Sequence, residues 1–239
     1  MAESDAPVAV PPALPAHTGR HLLLDFDGPV CAVMVGAGLP DTLVGILARG
    51  SSQLRGLTAV ENLRDPLALL RAVAEIGGSE LIDEAEAAVI ETELLGAAHA
   101  PLAPGLAGLL ARARARSYAC SVVSNNSAQA VEAVIARFPD LLHDLSLFCR
   151  PAGHPELMKP NPYLVSQAVE RLGARPDDCL MIGDSETDVT ASLAAGVPIV
   201  GYANKPGKRE RLSRAGATWI VDSLDEVDFD AFTARGRQG

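Results

Sequence analysis

His21-Leu22-Leu23-Leu24-Asp25-Phe26-Asp27-Gly28-Pro29-Val30 decides how this chain is read. An apolar run stops at two carboxylates one residue apart, and a glycine follows. Runs of this length with turn residues behind them read as strands buried in a parallel sheet, and catalytic groups gather at the carboxyl ends of such strands. Side chains alternate along a strand with period two, so Asp25 and Asp27 are expected on one side of the extended chain. Like charges that close repel unless a cation or a shared proton offsets them. A divalent metal with oxygen ligands is the economical explanation. The alternative is an ordinary acidic turn.

Three further segments bear on that choice. Tyr118-Ala119-Cys120-Ser121-Val122-Val123-Ser124-Asn125-Asn126 is a second strand-like run, ending in a hydroxyl and two amides. Met158-Lys159-Pro160-Asn161-Pro162 sets one lysine before a helix-opening proline. Cys179-Leu180-Met181-Ile182-Gly183-Asp184-Ser185-Glu186-Thr187-Asp188 ends a third strand in a second acidic cluster. In this order, Asp-x-Asp, Ser, Lys and Gly-Asp-x-x-x-Asp, the chain resembles the haloacid dehalogenase-like hydrolase superfamily. The likeness is closest to phosphoglycolate phosphatase-like members with a small helical cap. Each motif alone arises by chance; the ordered set rarely does.

The 239 residues, 48% of them hydrophobic, suffice for one sizeable α/β domain with a smaller insertion. A formal charge of −10 and a pI near 4.9 argue against nucleic acid or an acidic membrane as the main partner. An anionic substrate stays open, because a metal and a few cationic side chains reverse the local potential. The four cysteines lie far apart without a Cys-x-x-Cys pair, which signals neither zinc nor a disulfide framework. Residues 1–20, rich in Ala and Pro, lack the basic and apolar regions of a secretory signal and read as a disordered leader. No apolar stretch reaches membrane-spanning length without charges or prolines. A cytoplasmic protein, monomer or homodimer, with no membrane partner is the resulting expectation.

Between about Leu39 and His99 strand-like runs give way to helical spacing. Leu39, Leu43, Ile46 and Leu47 line one face, Leu67, Leu70, Val73 and Ala74 a second, and Leu81, Ala85, Ala88 and Val89 a third with Ser79 as its cap. These helices interrupt the strands, so residues 38–99 read as an inserted cap. Pro101 and Pro104-Gly105 mark the return. Helices are then expected over 105–116, 128–138, 161–172 and 186–195, and strands over 145–148, 179–182, 196–201 and 219–221. Such alternation predicts a parallel sheet with helices on both faces. The fold expected is an α/β Rossmann-like parallel sheet core, residues 21–37 and 100–239, with an inserted small α-helical cap.

The resemblance implies a role for each motif residue. Asp25 would be the nucleophile that accepts a phosphoryl group, and Asp27 the general acid and base. Relatives that displace halide typically lack the second aspartate, so its presence favours phosphate esters. Asp25, the main-chain carbonyl of Asp27 and Asp184 would hold Mg2+. Gly28, Ser124 and the amide of Asn125 would meet the phosphate. Asn125 and Asn126 serve equally well as caps of the next helix. Lys159 is one of only three lysines, with Lys205 and Lys208, and would offset the carboxylates. Asp188 is expected either to position Lys159 or a metal-bound water or, equally, to touch the ion itself, and both acids also suit a helix N-terminus.

The cap holds Arg49, Arg55, Arg64 and Arg71 but no lysine, whereas phosphonoacetaldehyde hydrolases of the superfamily need a cap lysine. Arg55 or Arg64 is expected to clamp a second anionic group, helix-surface solvation being the alternative. The activity implied is a magnesium-dependent phosphatase acting on a small phosphorylated metabolite. A sugar-phosphate mutase of the same superfamily and a non-catalytic binding protein are the competing readings.

Overall fold

The computed structural model describes residues 19–33, 65–76 and 78–235. The leader up to residue 18, the first expected cap helix, and Arg55 and Arg64 lie outside the described residues.

Six strands, β1 (His21–Leu24), β2 (Ala119–Val123), β3 (Ser146–Phe148), β4 (Cys179–Gly183), β5 (Ile199–Tyr202) and β6 (Trp219–Val221), form one sheet in the order β3-β2-β1-β4-β5-β6. Every neighbouring pair is parallel. β1 is central, with Leu22 level with Cys120 on one side and Leu180 on the other. The order reverses between β1 and β4, the switch point where open α/β sheets bind ligands beyond the carboxyl ends of their strands.

Period-two alternation divides β1 between two cores. Leu22 and Leu24 join Val122, Leu180 and Ile182 on one face. That face is covered by α3 (Leu106–Ala115), α4 (Ala128–Arg137) and the last helix, residues 229–235. Leu23 joins Met181 and Ile199 on the other, beneath α6 (Tyr163–Arg171) and α7 (Glu186–Ala194). All three leucines are fully buried, and burial on both faces explains why β1 reads as an unbroken apolar run. Truncating one of them to alanine costs roughly 2–5 kcal/mol.

Two helices, α1 (Pro66–Ile76) and α2 (Ser79–Ala97), lie between β1 and β2. Leu69, Leu70 and Val73 of α1 pack on Ala85, Ala88 and Val89 of α2, with Met158 closing the cluster. The insertion thus has its own core, which reaches the residue preceding Lys159. Ser79 is the first helical residue of α2 rather than its cap; Gly78 takes that place and no side chain caps the end. Asn125 and Asn126 do not cap α4 either, because Ser127 Oγ accepts from Ala130 N.

Other boundaries differ by a residue or three. α6 begins at Tyr163 and β5 at Ile199. Two helices go unsignalled by sequence, α8 (Lys208–Ala215) and α9 (Phe229–Arg235), with the single turn α5 (Pro139–Leu142) between α4 and β3. α8 reads Lys-Arg-Glu-Arg-Leu-Ser-Arg-Ala and buries only Leu212, so it carries no apolar period. Among the described residues no helix is long and apolar enough to cross a membrane.

Candidate active site

The ends of β1, β2 and β4 bring the signalled residues to one place. β1 stops at Leu24, yet Asp25 continues the ladder by one bond, its N–H donating to Ile182 O at 2.8 Å. Phe26 is buried and the chain bends there, so Asp25 and Asp27 reach one cavity across a bend rather than along an extended strand. This cavity, about 650 Å³, is also lined by Asn125, Lys159 and Asp184. Asp27 Oδ1 accepts from Val33 N at 2.8 Å, which pins the turn that follows.

Lys159 is the hub. Its ammonium donates to Asp25 Oδ1 at 2.7 Å, Val123 O at 2.8 Å and Asp188 Oδ1 at 2.5 Å, which uses its three donors. Its backbone is gripped by the Asn125 amide, which accepts from Lys159 N at 2.7 Å and donates to Lys159 O at 3.0 Å. Asp188 completes a capping box with Ser185 at the start of α7, Oδ2 accepting from Ser185 N and Oγ. One oxygen of Asp188 therefore caps a helix while the other holds Lys159.

Asp184 follows β4, its Oδ2 accepting from Asn204 Nδ2 at 3.1 Å and paired with Lys208. Gly28 has φ +136°, and a Cβ there would lie 2.3 Å from Asp184 Oδ2, so only glycine fits. Asp25, Asp184 and Asp188, all buried, each bring one oxygen within 4.8 Å of the others. This all-oxygen set suits a hard divalent cation. Ser124 is fully buried and donates through Oγ to Asn126 Oδ1 at 2.9 Å; Asn125 and Asn126, not Ser124, line the cavity.

The profile of the haloacid dehalogenase-like hydrolases matches residues 20–196, most of the chain and all four motifs. The chain belongs to that family. A phosphoglycolate phosphatase of Synechococcus elongatus is 34% identical over 126 residues, covering 53% of this chain and 57% of its own. "Protein CbbY, plasmid" of Cupriavidus necator is 32% identical over 110 residues, 45% of this chain and 43% of its own. The chain thus spans about half the length of the curated relatives it matches. A solved structure described as a predicted phosphatase from Clostridium acetobutylicum superposes with a TM-score of 0.66 over 91% of this chain and 98% of that one. At 20% identity it shows the shared fold.

In this haloacid dehalogenase-like hydrolase the gathered carboxylates oppose one another. Burial first, then Asp188, push the Asp25 carboxyl up to about 8, with Lys159 pulling it down and Asp184 adding to the rise. Burial alone would lower Lys159, but Asp188 and Asp25 outweigh it and hold the ammonium charged. Burial also raises Asp184, against the pull of Lys208.

Sequence reasoning missed several residues. Arg71 of α1, not singled out among the cap arginines, lines the cavity and donates to Lys159 O at 3.4 Å. Glu86 and Glu93, two turns apart on one face of α2, meet the buried Arg150 at 3.0 Å each. Glu93 also accepts from Asn126 Nδ2 and Ser127 N, and Arg150 donates to Asn125 O at 2.6 Å. The loop after β2 is thereby tied to the insertion. Acids spaced by seven among apolar residues were the available signal for Glu86 and Glu93, and the scarcity of lysine was the signal for Lys208.

Proposed function

We propose that this hydrolase is a magnesium-dependent phosphatase that cleaves a small phosphomonoester through an aspartyl-phosphate on Asp25. The observation that carries the reading is the Lys159 bridge. A buried ammonium fixes Asp25 Oδ1 at the switch point and leaves Oδ2 for attack, with Asp184 beside it. Asp25 and Asp184 would supply carboxylate oxygens to the metal, joined by the main-chain carbonyl of Asp27. When bound, the ion would offset negative charge on the carboxylates and the phosphoryl group.

Asp25 Oδ2 attacks phosphorus and the bond to the leaving oxygen breaks as Asp27 hands that oxygen a proton. Asp27, now ionised, takes a proton from water, which attacks the phosphorus and releases orthophosphate and free Asp25. Lys159 holds the nucleophile's orientation through both displacements, itself held by Asp188 and Asn125. The amides of Asn125 and Asn126 in the loop after β2 receive the phosphoryl oxygens, and Ser124, buried beneath them, holds Asn126 through its hydroxyl.

The inserted segment, residues 38–99, acts as a cap that excludes bulk water, with Arg71 and the cap residues Arg55 and Arg64 meeting a second anionic group on the substrate. The phosphatase relatives favour a phosphoglycolate-like or sugar-phosphate-like metabolite, handled in the cytoplasm. Orthophosphate release from a panel of phosphorylated metabolites, with magnesium and with excess chelator, tests the reading. Magnesium-dependent release supports it, isomerised sugar phosphate in place of orthophosphate indicates a mutase, and no turnover on any ester removes the enzymatic reading.

A further inference from the structure

We propose that Lys208 is a second ammonium of the site that weakens its hold on a divalent cation alone and strengthens its hold on a tetrahedral oxyanion dianion. The proposal rests on the reading of Asp25 and Asp184 as metal carboxylates.

Lysine is only three of the twenty lysine and arginine residues. Two of the three, Lys159 and Lys208, sit on the site's carboxylates. Apart from Lys205 the chain's other cationic side chains are arginines, whose planar fork needs more room than a compact ammonium. Lys208 opens α8, and its side chain is only 12% exposed. It pairs with the same Asp184 oxygen that receives Asn204, on the side where Gly28 leaves no space for a Cβ.

The two lysines are placed differently. The donors of Lys159 all point inward, to Asp25, Val123 and Asp188, so turning it toward a ligand would break the hub. Lys208 has Asp184 as its partner among the described residues, one bond out of three possible donors. It also lines two cavities, the one that exposes Asp25 and a second of about 590 Å³, which share Asp27, Asp184 and Lys208. Arg211, three residues on along α8, lines the first of them.

Charge decides the consequence. With Asp27 carrying the proton it delivers and Asp25, Asp184 and Asp188 ionised, the two ammoniums leave one negative charge for a divalent cation to meet. Without Lys208 two remain. A unit charge a few ångströms away in a protein of effective dielectric near 20 shifts a binding constant by roughly tenfold or more. Lys208 therefore opposes a cation bound alone and favours a dianion beside it, which couples the two binding events.

Calorimetry on the unaltered protein, Lys208→Met and Lys208→Arg tests this, first with magnesium alone and then with inorganic phosphate at saturating magnesium. Thermal melts confirm that each variant folds. Lys208→Met should bind magnesium roughly tenfold more tightly and phosphate roughly tenfold more weakly, and Lys208→Arg should restore both toward the original values. If both affinities fall together, or neither moves, Lys208 only supports local structure and the proposal is wrong. If the unaltered protein binds no magnesium, the metal reading of Asp25 and Asp184 fails first and the proposal falls with it.

Discussion

Arg150 Nη1 meets Glu93 Oε1 at 3.0 Å with neither side chain exposed to solvent. This bond joins α2 of the insertion to the segment after β3, and through Asn125 O to the loop after β2. Glu86 extends the junction, accepting from Arg150 Nε at 3.0 Å and Gly153 N at 2.6 Å. A buried charge left without its partner costs far more than the pair itself contributes. Arg150→Met should therefore destabilise the protein by about 3–5 kcal/mol, stranding two carboxylates. Urea unfolding measures this, and a loss under about 1 kcal/mol would show that water reaches the junction.

Gly28→Ala should separate folding from activity. The added Cβ meets Asp184 Oδ2 at 2.3 Å, and φ of +136° suits glycine alone. The collision falls on a site carboxylate at the edge of a cavity, not within either sheet core. Stability should drop by about 1–3 kcal/mol, while turnover falls on the order of 100-fold because Asp184 is displaced. A variant that keeps full activity would mean that the loop shifts without disturbing Asp184.

The cysteines offer a pH prediction. Burial pushes Cys120 up to about 11, and Cys149 and Cys179 up to about 12. Burial, with Asp27 and Asp25 behind it, raises Cys31 further. A raised thiol pKa keeps the sulfur protonated, and only the thiolate attacks a disulfide reagent. At pH 8 roughly one part in 10⁴ of a pKa-12 thiol is ionised, so native protein should react negligibly and its rate should climb only above about pH 10. In denaturant all four free thiols should react at once. Fast labelling of folded protein at pH 8 would count against the packing of β2 and β4.

The parts legible in the sequence are those whose meaning is local. β1 and β4 each run directly into an acid, so Asp25 and Asp184 were readable from the apolar runs before them. α1 and α2 were readable from apolar spacing. What escaped depends on distant partners: Arg150 meets Glu86 and Glu93 across 64 and 57 residues of chain. α8 escaped because one buried leucine among charges has no period, and Lys208 went unassigned with it. The contact of Asp188 with both Ser185 and Lys159 joined two readings that the sequence had left as alternatives.

Removing the hub should be more damaging than removing one acid. Lys159→Met leaves Asp25 and Asp188 facing one another without the ammonium that bridges them at 2.7 and 2.5 Å. Turnover should fall by at least 1,000-fold, an amount on the order of losing one preorganised electrostatic group. Added magnesium should recover thermal stability more than activity, since a cation replaces the charge but not the geometry. Equal recovery of both would reduce Lys159 to a counter-ion.

The central claim is that Asp25 carries the phosphoryl group and Asp27 moves the protons. Asp27→Asn keeps the nucleophile but lacks the base that activates water, so an aryl phosphate, whose leaving group needs no proton, should phosphorylate it and then stall. Single-turnover mixing followed by intact-mass measurement reads this directly. The account predicts one added phosphoryl group on Asp27→Asn, mapped to the peptide containing Asp25, and none on Asp25→Asn. Phosphorylated Asp25→Asn, or an Asp27→Asn variant that hydrolyses alkyl phosphates at the original rate, would contradict it.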